Sequence, residues 1–174
     1  MTETKPLEDL GLKARDAIIL HELAEDPQRS SRELRDILAE EHDIDVSHVT
    51  VSESIRTMRE NGVFREAIVP NEEHLIFSLF EFQFDPGNFE DNWRAALKDV
   101  RDDTQTFLFF LSDGEYQWKT IMMFETREQE SKWIHDFYKE HGELIANLRN
   151  SAVTNVLKFG TDPELFEEFG GAVE

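Results

Sequence analysis

The sequence predicts an α+β protein in two parts: three short helices, then a β-α-β-β-α-β run. Two patterns carry this expectation. Between residues 12 and 61, apolar residues recur at helical spacing in three stretches separated by polar turns. Beyond residue 75, β-prone runs alternate with two further amphipathic stretches. Fourteen Phe in 174 residues, with 39% hydrophobic content, supply enough apolar surface for a packed core and exclude global disorder.

Residues 1 to 10 form a polar lead-in. The first helix is expected from Leu12 to Glu25, burying Ala17, Ile18, Leu20, Leu23 and Ala24, and Asp26-Pro27 ends it. Ser30 and Glu33 have the spacing of a capping box, and Leu34, Ile37 and Leu38 turn the second helix inward. The segment Glu40 to Asp45 (EEHDID) is a polar turn. The third helix, residues 47 to 61, starts on Ser47 as cap and buries Val51, Ile55 and Met58. Its opposite face carries His48, Val49, Ser52, Glu53 and Arg56. Asn61-Gly62 closes it, and Val63 to Val69 reads as a strand stopped by Pro70-Asn71. Three small helices and a strand in this order match a winged helix-turn-helix, whose last helix enters the major groove of DNA.

Leu75 to Phe84 reads as a central strand with Ser78, Phe80, Phe82 and Phe84 on one face. Asn88 is the expected cap of a helix carrying Phe89, Trp93, Ala96, Leu97 and Val100. Residues 106 to 111 and 117 to 125 read as strands joined by a turn at Ser112-Asp113-Gly114-Glu115. Thr126 and Gln129 form a second capping box. It opens a long helix with Trp133, Ile134, Phe137, Tyr138, Leu144, Ile145 and Leu148 on one stripe. Ala152 to Phe159 is the expected last strand, before a short terminal helix with Leu165, Phe166 and Phe169. The order is that of a ferredoxin-like unit. The expected domains are 1–71, a winged helix-turn-helix; 72–160, the ferredoxin-like βαββαβ unit; and 161–174, a terminal helix and tail.

Zero Cys excludes disulfides, thiolate catalysis and Cys-based zinc sites. No apolar run reaches the ~18 residues of a membrane helix, and a polar N-terminus argues against a signal peptide, so a cytoplasmic location is expected. The net charge of −20 opposes binding to phosphates in general. The acids are spread through every segment, as in proteins of salt-loving organisms, where molar salt screens them within a few Å.

The stretch Val46 to Phe64 resembles the reading helix of the Lrp/AsnC family of prokaryotic transcription regulators. Val46-Ser47, Thr50-Val51, Ile55, Met58 and Gly62-Val63-Phe64 stand at its conserved-pattern positions L-S-x-x-T-V…I…G-[VI]-I. The resemblance places Ser47 and Thr50 near a phosphate and gives Arg56 a base- or phosphate-contacting role. Ser54 stands where the family has a basic residue. The second half resembles the family's RAM-type regulatory domain, with Gly114-Glu115-Tyr116 at the Gly-Asp-Tyr/Phe turn. It implies a homodimer paired through that domain, double-stranded DNA with a palindromic operator as partner, and a small-molecule effector such as an amino acid. The EEHDID segment, the short link Asn71 to His74 and the terminal helix depart from the pattern. An acidic, halophilic, archaeal-type member is the expectation.

The expected DNA-binding residues are Arg32, Arg35, Ser47, His48, Val49, Thr50, Ser52, Arg56, Arg59 and Arg65. Arginine forks match phosphates and guanine edges, while the other side chains line the helix start and outer face. The acids Glu33, Asp36, Glu40, Glu41, Asp43, Asp45, Glu53 and Glu60 share the segment, so it is no basic patch. His135 and His141 are six apart, the wrong spacing for a shared metal, and no metal motif, phosphate loop or nucleophile elbow appears. No cofactor, no metal and no catalysis are therefore expected. Trp93, Trp118, Trp133, Tyr116 and Tyr138 read as core and interface before effector pocket. Two rival readings stand beside the regulator: a dimeric α+β-barrel enzyme of monooxygenase or haem-binding type, and a winged-helix protein–protein adaptor.

Overall fold

The computed structural model describes residues 12–71 and 73–166, the side chains of residues 89–92 aside. The lead-in, Phe169 and the side chain of Phe89 lie outside that description. The elements are α1 (Ala14–Glu25), α2 (Ser31–Glu41), α3 (His48–Glu60), β1 (Ile76–Phe84), α4 (Pro86–Asp102), β2 (Thr106–Leu111), β3 (Trp118–Phe124), α5 (Arg127–His141) and β4 (Ile145–Ala152). They form two compact units, Met1–Ala67 with Lys158–Glu174, and Ile68–Leu157. Among the described residues, no helix is long and apolar enough to cross a membrane.

In the helical unit, each helix contributes one apolar stripe to a shared core of Leu12, Ile19, Leu20, Leu34, Leu38, Val51 and Met58. The inward face of α1 centres on Ile19, fully buried, while Ile18, Leu23 and Ala24 are half-buried. Each fully buried Leu or Ile contributes about 1.5–3 kcal/mol. The predicted capping box of α2 is present: Ser30 Oγ accepts from Glu33 N at 3.3 Å, and Glu33 Oε2 accepts from Ser30 N at 2.7 Å. Phe166 packs against the same core.

The expected strand over Val63–Val69 is not formed. Residues 64–70 have no regular secondary structure and pair with no strand, so among the described residues there is no hairpin to serve as a wing. A strand requires a ladder partner, and the sheet contains only β1 to β4. Val63 and Phe64 instead dock on the helical core, whereas Ile68 is 97% exposed.

In the second unit, the sheet order is β2-β3-β1-β4 with all neighbours antiparallel, the ferredoxin-like arrangement that the element order predicts. The face with Phe80, Phe82, Phe84, Trp118, Met122 and Phe124 packs against Ala96 and Val100 of α4 and Phe137 of α5. Aromatic rings meet edge-on there, Phe84 and Trp118 at 4.4 Å and Phe82 and Phe137 at 5.4 Å. The other face of β1, carrying Leu79, Glu81 and Gln83, is half-buried, so β1 is packed fully on one side only.

Three expected boundaries move. Asp85, not Asn88, caps α4, accepting from Gly87 N, and Pro86 takes the first helical position, where its missing N–H costs nothing. The long helix expected to reach Leu148 stops at His141; Gly142–Leu144 form a 3-10 turn, and Ile145 and Leu148 lie in β4. Ile145 and Leu148 are three apart, a spacing that suits a helix stripe, but the backbone of 145–152 pairs with β1. The last strand is therefore Ile145–Ala152 rather than Ala152–Phe159, and Leu157 and Phe159 stand exposed beyond it.

Candidate nucleic-acid interface

Helix α3 is fixed at both ends by local chemistry. Ser47 Oγ accepts from Thr50 N at 3.1 Å and lies 3.0 Å from Thr50 Oγ1, so two hydroxyls gather where the free N–H groups of the first turn point. At the other end Gly62 (φ +71°) closes a Schellman motif: Gly62 N donates to Arg59 O at 3.1 Å and Val63 N to Met58 O at 2.9 Å. The turn into α3 is held by Ile44 N donating to Leu38 O at 2.8 Å.

Val51, Ser54 and Met58 point into the core, and Ile55 is half-buried beside them. At 3.6 residues per turn this inward stripe leaves Val49, Ser52, Glu53, Arg56 and Glu60 outward, all exposed, with His48 and Arg59 at the margin. Val49 is 53% exposed, an apolar side chain with no intramolecular reason to face water. Thr57 and Glu60 are exposed on this helix too; four-residue spacing from Glu53 and Arg56 is the sequence signal that would have included them.

The arginines divide by what already holds them. Arg56 Nε lies 4.0 Å from Glu60 Oε1, both side chains mostly in solvent. Such an exposed contact contributes roughly 0–1 kcal/mol and leaves the guanidinium available. Arg59 donates to Glu66 Oε1 at 2.6 Å and lies 5.8 Å from the Phe64 ring centre. Arg35, on α2, donates from Nε to Asp36 Oδ1 at 2.8 Å. Arg32 on α2 and Arg65 on the segment after α3 are exposed and form no ion pair among the described residues. Thus Ser47, His48, Val49, Thr50, Ser52, Arg56 and Arg59 come together on one helix, while Arg32, Arg35 and Arg65 stand on other segments. The aromatic set is placed elsewhere: Trp118 is core, Trp93 and Trp133 pack against it, Tyr116 sits in the β2–β3 loop and Tyr138 is exposed.

No protein-family model matches the chain, and no curated protein matches it. Solved structures do. AsnC of E. coli superposes with a TM-score of 0.67 at 15% identity, over 87% of this chain and 98% of that one. An AsnC family transcriptional regulator from Agrobacterium tumefaciens has a TM-score of 0.68 at 14% identity, over 86% and 95%. A Neisseria meningitidis transcriptional regulator in complex with L-Met has a TM-score of 0.68 at 18% identity, over 87% and 95%. The chain is therefore Lrp/AsnC-like in fold, a helix-turn-helix unit followed by a ferredoxin-like βαββαβ unit.

Proposed function

We propose that the protein is a sequence-specific DNA-binding transcription regulator rather than an enzyme, and that it reads the major groove with α3 as a homodimer. The observation that carries this is the outward row Val49, Ser52 and Arg56 on a helix whose other side is anchored by Val51 and Met58. That row joins an apolar contact for a thymine methyl, a hydroxyl and a guanidinium fork, the three kinds of group that read base edges. The start of the helix, with Ser47 and Thr50, suits a backbone phosphate. Arg32, Arg35 and Arg65 would add phosphate contacts from neighbouring segments.

The likeness to AsnC-type regulators supports the same reading. The half-open sheet face supports dimerisation: Leu108 and Phe110 are exposed on β2, next to Ile121 on β3 and Leu79 on β1. A second subunit on that face would bury them and match a palindromic operator with half-sites about one or two helical turns apart. The Neisseria structure with L-Met supports an effector of amino-acid type. Titration of genomic fragments upstream of the protein's own coding sequence, at several salt concentrations, tests the reading. Saturable binding with sequence preference is expected; an absence of binding even at low salt would turn it toward a protein–protein adaptor.

A further inference from the structure

In the second unit, a cleft of about 360 Å³ runs along α5 beside the last turn of α4 and the loop that follows it. Asp99 from α4 and Glu140 and His141 from α5 bring one donor atom each within 4.8 Å of one another. His141 is buried, and its Nε2 lies 2.9 Å from Asp99 Oδ2 across a separation of 42 residues. Its ring packs against Phe137 at 5.0 Å, which holds the imidazole in the orientation that aims Nε2 at the carboxylates. Asp99 and Glu140 are exposed at the mouth, where an ion can enter.

We propose that Asp99, Glu140 and His141 form a site for a divalent transition-metal ion of the zinc class. One imidazole nitrogen and two carboxylate oxygens are a donor set suited to Zn²⁺, Co²⁺ or Mn²⁺, and the imidazole selects against Mg²⁺ and Ca²⁺. Donors about 2.0–2.2 Å from a tetrahedral ion stand ~3.4 Å apart, so the His141–Asp99 pair opens slightly from 2.9 Å while the exposed Glu140 carboxylate closes in. The ion sits between the imidazole and the two carboxylates, and water completes the shell. Lys132 is the cation among the described residues lining the cleft, and it is bound to Asp136 at 3.0 Å. The filled site clamps α4 to α5 and makes the second unit responsive to metal, whether or not the helical unit binds DNA.

The test uses the full chain with Co²⁺ as a spectroscopic probe and Zn²⁺ for calorimetry, in a large excess of Mg²⁺ that occupies surface carboxylates. Expected are one ion per chain, a visible cobalt spectrum, and a rise in Tm with Zn²⁺. Asp99→Asn and Glu140→Gln, at exposed positions that leave the fold intact by circular dichroism, should each weaken binding at least tenfold and remove the Tm response. Equal affinity of the Asp99→Asn/Glu140→Gln double variant and the wild type would overturn the site, as would loss of all wild-type binding in the presence of Mg²⁺.

Discussion

Ser78 and Glu130, 52 residues apart, are joined by a hydrogen bond of 2.5 Å beneath the sheet. Glu130 is buried and also accepts from Arg127 Nη1 at 2.7 Å and Asn150 Nδ2 at 2.8 Å. One carboxylate thereby ties β1, α5 and β4 together. Burial pushes its pKa up, but the hydrogen bonds from Ser78, Arg127 and Asn150 and the Arg127 charge outweigh it, leaving the pKa below its ordinary value. A carboxylate depressed in the folded state adds stability above its unfolded pKa and loses it as pH falls through the lower folded value. Glu130→Gln should cost about 1–3 kcal/mol at pH 7. Urea melts of both proteins should converge at acidic pH; a gap that persists unchanged there would show that the charge is not the cause.

Gly62 sits at φ +71° with open space around it, so a side chain there meets only backbone strain. Gly62→Ala should destabilise the end of α3 by about 1–2 kcal/mol, read as a lower midpoint with an unchanged m-value. Its effect on DNA affinity should be small, because Gly62 lies at the far end of α3 from Ser47.

If the half-open sheet face is the dimer contact, Leu108→Glu with Phe110→Glu should produce a folded monomer in sedimentation equilibrium. Both side chains are exposed in the single chain, so the monomer loses little by the change. Persistence of a dimer would move the contact elsewhere.

The acids on α3 predict an unusual response to charge removal. Glu53 and Glu60 flank Arg56 and repel phosphate. Glu53→Gln and Glu60→Gln should raise DNA affinity several-fold at low salt, with the gain shrinking as salt rises. Affinity measured across a salt series checks this, and an equal change at every concentration would point to a specific contact instead.

The elements were largely legible because their signals are local. Ser30-Glu33 and Ser47 mark real caps, the Gly62 stop is a Schellman motif, and the Phe80-Phe82-Phe84 alternation is the covered face of β1. What was illegible depends on partners far away in sequence. Val63–Val69 has β-prone residues but no ladder, and Ile145–Leu148 fits a helix stripe yet pairs with β1. The outward face of α3 was legible, but the division of its arginines was not, because Glu66 claims Arg59 through a backbone path that periodicity does not reveal. The His141–Asp99 pairing was hidden for the same reason: spacing rules within one helix do not reach a donor on another.

On the proposed function, α3 reads DNA through its outer row, with Arg56 as the freest guanidinium on it. The most direct test is a titration of one operator fragment and one scrambled fragment with wild type and Arg56→Ala at matched salt. Expected is a loss of about 1–3 kcal/mol on the operator, roughly 5- to 150-fold, with much less change on scrambled DNA and an unaltered oligomeric state. Equal affinity of the two proteins for the operator would contradict it.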